Sequence, residues 1–392
     1  MMSSNNEILY LDYAATTPVD KRVAEVMASL ITIDGDFANP SSTHKAGRRS
    51  TAHVEQAADR LASLLNCQAR DLIWTSGATE SDNLAIAGAA AYRANRGKHL
   101  ITMPTEHNAV RDVFRALENQ GYEVTWLAPD ESGLLNMDAF EAALRIDTQL
   151  VSIMHVNNET GVTQDIAAIG ERCRRHDVLF HVDAAQAVGK LPLDLATLPV
   201  DLMSMTAHKL YGPKGVGALY IADRPDCHIE PLLFGGGQQR GLRPGTLPVH
   251  LIAAFGQAAA IAADSMARDL EHLTSLRDRL WQGIRDVPGI VRNGDADASF
   301  PAILNVSVDD IEGESLLLAL EPLCVATGSA CNSHDQEPSA VLRALGRSDE
   351  LAQSAVRFSF GRPTSAADVD FAARRYCGAI DRLRALAPQQ PA

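Results

Sequence analysis

The sequence predicts an α/β protein with a large domain, built on a mostly parallel mixed sheet flanked by helices, and a smaller α+β domain. Three observations predict this organisation. The chain has 392 residues, more than one hydrophobic core usually serves. Short apolar runs alternate with helical patterns through the central part of the chain. After about Thr246, long Ala- and Leu-rich helical patterns replace this alternation.

Six short apolar runs predict the strands of the large domain. They are DLIWTSG, HLITMP, YEVTWLAP, TQLVSIMHV, VLFHVDAAQ and LMSMTAHK. Apolar residues at helical spacing occupy RRSTAHVEQAADRLASLLN, which stops at Asn66, and the segments ESDNLAIAGAAAYRANRG and DIAAIGERCRRH. Alternating strands and helices predict parallel pairing with helices on both faces of the sheet.

The small domain is predicted because the pattern of helices and strands changes in the C-terminal part of the sequence. The helical segment HLIAAFGQAAAIAADSMARDLEHLTSLRDRLWQGI precedes a strand-like AILNVSV. We place the large domain at residues 15–250, and the small domain at residues 1–14 and 251–392.

Composition narrows the class of protein. The formal net charge is −14, which repels a polyanion and argues against nucleic acid as a direct partner. Six scattered cysteines without a C-x-x-C pair indicate reduced thiols. The N-terminus lacks a basic segment followed by an apolar core, and no apolar run approaches membrane-spanning length. We therefore expect a cytoplasmic protein without a membrane partner or a metal site.

Polar residues follow the predicted strands where open parallel sheets bind ligands, beyond their carboxyl ends. Gly77-Ala78-Thr79 opens a helix, so backbone N–H groups, the helix dipole and the Thr79 hydroxyl favour a phosphate. A plain helix cap at Thr79 explains the same residues. His107 directly follows HLITM, and an ordinary surface histidine is the alternative there.

Two charged residues of opposite sign follow neighbouring predicted strands. Asp183 ends an apolar strand, where a buried carboxylate needs a cation, and Lys209 follows SMTAH. One interpretation is a salt bridge between them without a cofactor. The other is that Lys209 forms a Schiff base with pyridoxal 5′-phosphate and Asp183 pairs with the pyridine nitrogen. Thr79, Thr206 and His208 would then hold the phosphate, and together these features favour the cofactor.

A set of longer motifs carries a family resemblance. They are LDYAATTP, NPSSTHKAGR, TSGATESDNLA, TEHNAV, HVNNETGV, HVDAAQAVGK, AHKLYGPKGVGALY, GGGQQRGLRPGT, TGSAC and VRFSFGR. In this order, through nearly the whole chain, they resemble the cysteine desulfurases of the NifS/IscS type. These are fold-type I pyridoxal-phosphate enzymes related to class V aminotransferases.

The resemblance implies a role for each site residue. Lys209 is the Schiff-base lysine, His107 stacks on the cofactor ring and Asp183 meets the ring nitrogen. Asn158 and Gln186 approach the ring hydroxyl. The residues that hold the phosphate are Ala78, Thr79, Thr206, His208 and, from the neighbouring subunit, Thr246. That sharing implies a homodimer.

Substrate binding and sulfur transfer are implied in the same way. Arg357 binds the substrate carboxylate, for which a planar guanidinium is suited, and Asn158 also contacts the substrate. L-cysteine displaces Lys209, whose amine removes the Cα proton. The Cys331 thiolate then attacks the substrate sulfur, which leaves alanine and an enzyme-bound persulfide. His107 is a candidate to move a proton at the substrate thiol.

Alternatives remain open at this stage. Cys324 competes with Cys331 as the nucleophile, although its apolar surroundings favour a structural role, as expected also for Cys67, Cys173, Cys227 and Cys377. A selenocysteine lyase or related β-eliminating enzyme would use the same cofactor site without the thiol. A catalytically silent binding protein would keep only the fold.

The sulfur acceptor is a protein that the motifs do not identify. Family members devoted to the general iron–sulfur scaffold typically carry a C-terminal extension past a segment like RLRALAP, whereas this chain ends at Ala392. A cluster scaffold, a tRNA-thiolation relay and a dedicated partner are the acceptors expected.

Overall fold

The computed structural model describes residues 8–327 and 338–386. Its strands are β1 (Leu9–Tyr10), β2 (Leu72–Thr75), β3 (His99–Thr102), β4 (Glu123–Trp126), β5 (Thr148–Ser152), β6 (Leu179–Asp183), β7 (Leu202–Thr206), β8 (Gly217–Ile221), β9 (Ile290–Arg292), β10 (Ile303–Val308), β11 (Leu323–Cys324) and β12 (Val356–Ser359). Its helices are α1 (Lys21–Ala28), α2 (Lys45–Leu65), α3 (Ala78–Tyr92), α4 (Asn108–Glu118), α5 (Met137–Ala143), α6 (Ile166–Arg175), α7 (Val249–Ile284), α8 (Gly313–Leu320), α9 (Ala340–Ala344), α10 (Asp349–Gln353) and α11 (Ala366–Leu386).

A seven-stranded mixed sheet organises the larger part of the chain, in the order β2-β8-β7-β6-β5-β3-β4. Strands β3 to β7 pair in parallel, whereas β8 is antiparallel to both β7 and β2. All six predicted runs contain a strand, and the predicted fold class is confirmed. Strand β8 (GALYI) was not predicted separately. It follows β7 after one glycine-containing connection.

Helices cover both faces of this sheet. Successive side chains of a strand point to opposite faces, so neighbouring residues join separate cores. In β5, Leu150 packs with α3 and α4, whereas Val151 packs with α2, α6 and α7. Helix α2 ends where Asn66 adopts a left-handed conformation with φ 52°, the residue at which the helical pattern was predicted to stop. The core therefore lies on both sides of the sheet, and polar side chains reach a ligand only at its edges.

A second, antiparallel sheet has the order β12-β10-β9. Strand β1, near the start of the chain, pairs in parallel with β11, and Asp12 forms a bridge with Ser359 at the end of β12. The first described residues therefore lie beside the C-terminal elements. The domain limits at residues 15–250 remain a prediction.

Helix α7 requires a correction to the sequence analysis. By length and composition alone it is apolar enough to cross a membrane, with a mean hydropathy of 1.3 in its most apolar window. However, 61% of that window is buried, and α7 contacts α1, α2 and α11. The expectation that no apolar run approaches membrane-spanning length was wrong, since a long core helix has the same composition.

We predict opposite effects for two glycine substitutions within helices. A Cβ at Gly256 in α7 would lie 2.4 Å from the Ala57 Cα in α2, whereas a Cβ at Gly378 in α11 would meet nothing within 4 Å. Gly256→Ala should lower the free energy of unfolding by about 1–3 kcal/mol through overpacking. Gly378→Ala should raise it by about 0.5–1 kcal/mol through helix propensity. Chemical denaturation of both variants measures this, and equal effects would contradict close α2–α7 packing.

Candidate active site

A cleft opens where several strands of the large sheet end, with about 580 Å³ of space for water-sized molecules. Strands β2, β3, β5, β6 and β7 all direct their carboxyl ends toward it. The start of β8 lies at the same edge because β8 runs in the opposite direction. Among the predicted residues that line the cleft are Ala78, Thr79, His107, Asn158, Asp183, Gln186, Thr206, His208, Lys209 and Arg357.

One end of the cleft is formed by the start of α3. Gly77 precedes this helix in extended conformation and provides no side-chain cap. A Cβ at Gly77 would point toward the Thr206 hydroxyl, 3.9 Å away, into the space between β2 and β7. The first N–H groups of α3 therefore face an uncapped space lined with hydroxyls, which suits an anion.

The connection between β7 and β8 brings basic side chains to the same end. His208, Lys209 and Lys214 all line the cleft, and the His208 Nδ1 is 3.1 Å from the Thr16 hydroxyl. Burial, followed by the charges of nearby lysines, lowers the pKa of His208 to about 4. A bound anion would offset these positive charges.

The cleft wall also carries the Asp183 carboxylate, at the end of β6. Its side chain is 5% exposed, and Oδ1 accepts a hydrogen bond from the Ala185 N–H at 2.8 Å. This bond turns the chain directly after the strand and keeps Gln186 at the cleft wall. A buried carboxylate at this position provides a partner for a protonated ring nitrogen.

Two further buried acids lie near Asp183. Burial, and then the Asp183 charge, raises the pKa of Asp82 well above its ordinary value. Burial also raises the pKa of Glu106, although its Oε1 accepts a hydrogen bond from the Met154 N–H at 2.8 Å. Burial therefore favours the neutral form of both acids.

His107 caps α4 and faces the cleft. Its Nδ1 accepts a hydrogen bond from the Ala109 N–H at 3.1 Å, so the neutral ring carries its proton on Nε2. Burial, opposed by Asp183 and assisted by Lys209, lowers the pKa of His107. A neutral ring whose Nε2–H is not used by the cap is suited to stacking and to proton movement.

Arg357 reaches the cleft from β12 of the second sheet. Its Nη1 donates to the Asn158 carbonyl at 2.7 Å and its Nη2 to the Asp12 Oδ1 at 2.6 Å. The Nε of this buried guanidinium has no hydrogen-bond partner in the described part of the chain. Arg357 is thus held at two points and keeps donors for a carboxylate.

Two predicted residues do not appear in this cleft. Thr246 is exposed and does not line it, so its predicted contribution to a neighbouring subunit remains a prediction. Cys331 lies outside the described residues.

The other cysteines can be compared as nucleophiles. Burial raises the pKa of Cys67 and of Cys227 to about 12, and it also raises the pKa of Cys173 and Cys377. A raised pKa disfavours the reactive thiolate form of these four cysteines, in agreement with structural roles. Cys324 is partly buried in β11, where it pairs with Tyr10.

Among the charged residues of the cleft that sequence reasoning missed are Asp12, Asp82 and Lys214. The motif AHKLYGPKG contains Lys214, and recognising β8 as an antiparallel return would have placed it here. Asp82 lies in the first turns of α3, four residues after Ala78. Asp12 lies in the motif LDYAATTP, but the motif does not reveal its role, because its partner Arg357 is distant in the sequence.

Comparisons with known proteins agree with this geometry. The profile of the family described as Aminotransferase class-V matches residues 9–371. "Cysteine desulfurase IscS" of Cronobacter sakazakii is 54% identical over 381 residues, which are 97% of this chain and 94% of that protein.

Solved structures show the same likeness. A NifS-like protein superimposes with a TM-score of 0.89 at 33% identity, and the match covers 96% of this chain and 100% of that chain. A structure described as "SspA in complex with cysteine" gives a TM-score of 0.80 at 36% identity, covering 90% and 98%. The resemblance and the enzyme class predicted from the motifs are confirmed. The chain belongs to the aminotransferase class-V family and, within it, to the cysteine desulfurases of the IscS and NifS type.

Proposed function

We propose that this protein uses pyridoxal 5′-phosphate to remove sulfur from L-cysteine, and that it yields L-alanine and a persulfide on Cys331. One observation carries the proposal: a single cleft brings together an amine, a buried carboxylate and an uncapped helix start. The amine is Lys209, the carboxylate is Asp183 and the helix is α3. These three groups match the aldehyde, the ring nitrogen and the phosphate of that cofactor.

The residues present fit this cofactor. The space into which a Cβ at Gly77 would project lies beside the Thr206 hydroxyl, next to the first N–H groups of α3. We infer that Ala78, Thr79, Thr206 and His208 hold the phosphate. The Asp183 carboxylate, in the wall of the same cleft, would stabilise a protonated pyridine nitrogen.

The bound cofactor withdraws electrons from the substrate Cα, which permits loss of its proton and weakening of the Cβ–S bond. Lys209 would bind the cofactor aldehyde, and its amine, when free, would remove the Cα proton of the substrate. Arg357 orients the substrate carboxylate, and Asn158 lies beside it. His107 stacks on the ring and moves the thiol proton. The Cys331 thiolate would then attack the substrate sulfur: an S–S bond forms, the Cβ–S bond breaks, and its electron pair stays on the carbon skeleton, which is protonated and leaves as alanine.

The wider setting is also part of the proposal. We infer a cytoplasmic homodimer in which Thr246 completes the phosphate site of the neighbouring subunit. We further infer that the persulfide passes to a sulfur-acceptor protein of iron–sulfur cluster assembly or tRNA thiolation. Identity to proteins named IscS, and a similar structure with bound cysteine, support the sulfur chemistry.

Persulfide mapping tests the proposal most directly. We expect purified holoprotein incubated with L-cysteine to produce alanine and to carry one additional sulfur on Cys331, detected by peptide mass spectrometry. Cys331→Ala should abolish the labelled peptide, since the other thiols have a raised pKa or lie within a strand.

The matched control is Cys324→Ala, which should retain the label on Cys331. Sulfur found on Cys324 would contradict the assignment of the nucleophile. A Cys331→Ala protein that still forms alanine at the full rate would instead support β-elimination without a protein thiol.

Lys209→Ala should lower the rate of alanine formation by about 10²–10⁴-fold or more, because it removes both the covalent attachment and the base. The bound cofactor should also lose the visible absorbance that depends on attachment to the protein. Lys21→Ala, a change at an exposed position of α1, is the control. Unchanged turnover in the Lys209 variant would refute the proposed mechanism.

We expect the acid limit of activity to follow the protonation of the His107 ring, whose pKa is lowered by burial. Burial lowers its pKa below the usual 6.5, so the ring gains its proton in more acidic solution than an ordinary histidine does. NMR titration of the ring signal, assigned with His107→Gln, should give a midpoint below 6.5. The exposed His44 provides a reference signal, and a His107 midpoint above 6.5 would contradict this environment.

A further inference from the structure

Gln186 separates the cleft from a small internal cavity. The amide side chain lines both spaces and is only 3% exposed. The cavity has room for about 30 Å³, roughly one or two waters, and its wall is mostly apolar. Lys190 lies on the far side of Gln186 from the cleft. The proposed reaction uses the amine of Lys209 and gives Lys190 no task.

The turn after β6 places these two side chains one above the other. Residues four apart on a helical turn face the same side, and the N–H groups of Val188 and Leu191 close this turn on the carbonyls of Ala184 and Ala187. Gly189 has φ 69°, and a Cβ there would lie 2.2 Å from the Leu210 Cδ1. The glycine thus permits the close packing that directs Lys190 back toward Gln186.

The hydrogen bonds define the orientation of the Gln186 amide. The Lys190 Nζ donates to Oε1 at 3.0 Å, and the Nε2 donates to the Ala14 carbonyl at 2.7 Å. A carbonyl can only accept, so the nitrogen and oxygen of this amide cannot be exchanged. The Nε2 has a second hydrogen, which Ala14 does not use.

The surroundings of Lys190 offer its amine few other partners among the described residues. The Nζ lies 5.7 Å from the centre of the Phe300 ring. Arg362, also in the cavity wall, is paired with Asp269 at 2.6 Å and stacks on Tyr211. Burial, and then the charges of Lys209 and Arg362, lowers the pKa of Lys190 to about 7. Burial of an amine in a mostly apolar cavity wall costs free energy unless a hydrogen bond compensates for the lost hydration.

We propose that Lys190 is a positioning residue that acts through Gln186, holding its amide so that the second Nε2–H points to the ring oxygen of the bound cofactor. This inference rests on the proposed function, because it requires pyridoxal phosphate in the cleft. With Oε1 held by Lys190 and Nε2 by Ala14, the amide cannot turn an oxygen toward an anionic ring oxygen. Without Lys190, Oε1 is a buried acceptor without its hydrogen-bond donor. Among the described contacts, the amide is then fixed only by the hydrogen bond from Nε2 to the Ala14 carbonyl.

The proposal predicts the direction of a spectroscopic change. An N–H donor stabilises the ionised ring oxygen and weakens its hold on a proton at the Lys209 nitrogen. Loss of that donor should therefore raise the pH at which this proton leaves, and the visible absorbance of the bound cofactor reports it. One neutral hydrogen bond corresponds to a shift of about 0.5–1 pH unit.

The experiment is a double-mutant cycle on holoprotein, with absorbance measured against pH. We expect Lys190→Met and Gln186→Ala each to raise the midpoint by about 0.5–1 pH unit. In the Gln186→Ala background, Lys190→Met should add less than about 0.3 unit, because the partner is already absent. Lys21→Met, at an exposed position, should leave the midpoint unchanged.

Lys190→Gln separates hydrogen bonding from charge and serves if the methionine variant does not fold. It is neutral but retains a donor, so its midpoint should lie within about 0.3 unit of the wild type. Two results would overturn the proposal: an unchanged midpoint in Lys190→Met, or an equal shift with and without Gln186, which would indicate a through-space charge effect. Failure of the proposed function is distinguishable, since wild-type protein would then show no absorbance that depends on Lys209.

Discussion

The burial of the Asp183 carboxylate at the end of β6 is the constraint on which the site depends. An ion in this position is costly unless other groups compensate. The sheet brings several acids together here, and burial raises the pKa of Asp82 and of Glu106, which disfavours further negative charge beside Asp183. The cations approach from β7 and its connection to β8. A cleft that brings a buried carboxylate and several basic side chains together suits a ligand that carries both a cationic ring and an anion.

The directions of the strands bring these charged groups to one edge of the sheet. Parallel strands align their carboxyl ends, which brings residues from four connections to one edge. Antiparallel β8 adds the connection that precedes its first residue, and Lys214 reaches the cleft for this reason. A fully parallel strand at this position would start at the opposite edge of the sheet. The one reversed strand therefore supplies positive charge where the start of α3 also favours an anion.

The parts of the fold that were predictable have local causes. Each strand from β2 to β7 lies in a short run rich in apolar residues, and α2 ends at an asparagine in left-handed conformation, so sequence patterns indicate them. Pairing of β1 with β11 involves two residues on each side and a long separation, which no local pattern reveals. The site shows the same division: residues directly after strands were predicted, whereas Asp12 was not, because its importance comes from contact with Arg357.

Arg357 joins the two sheets at the point where substrate is proposed to bind. Its side chain contacts the Asn158 carbonyl beyond β5 and the Asp12 carboxylate near the first described strand. Its backbone N–H donates to the Ala326 carbonyl at 2.7 Å, immediately before the segment that contains Cys331. One residue therefore ties together the large sheet, the start of the chain and the approach to the proposed nucleophile. Displacement of β12 would disturb substrate orientation and sulfur transfer together, so the second sheet has a chemical as well as a structural role.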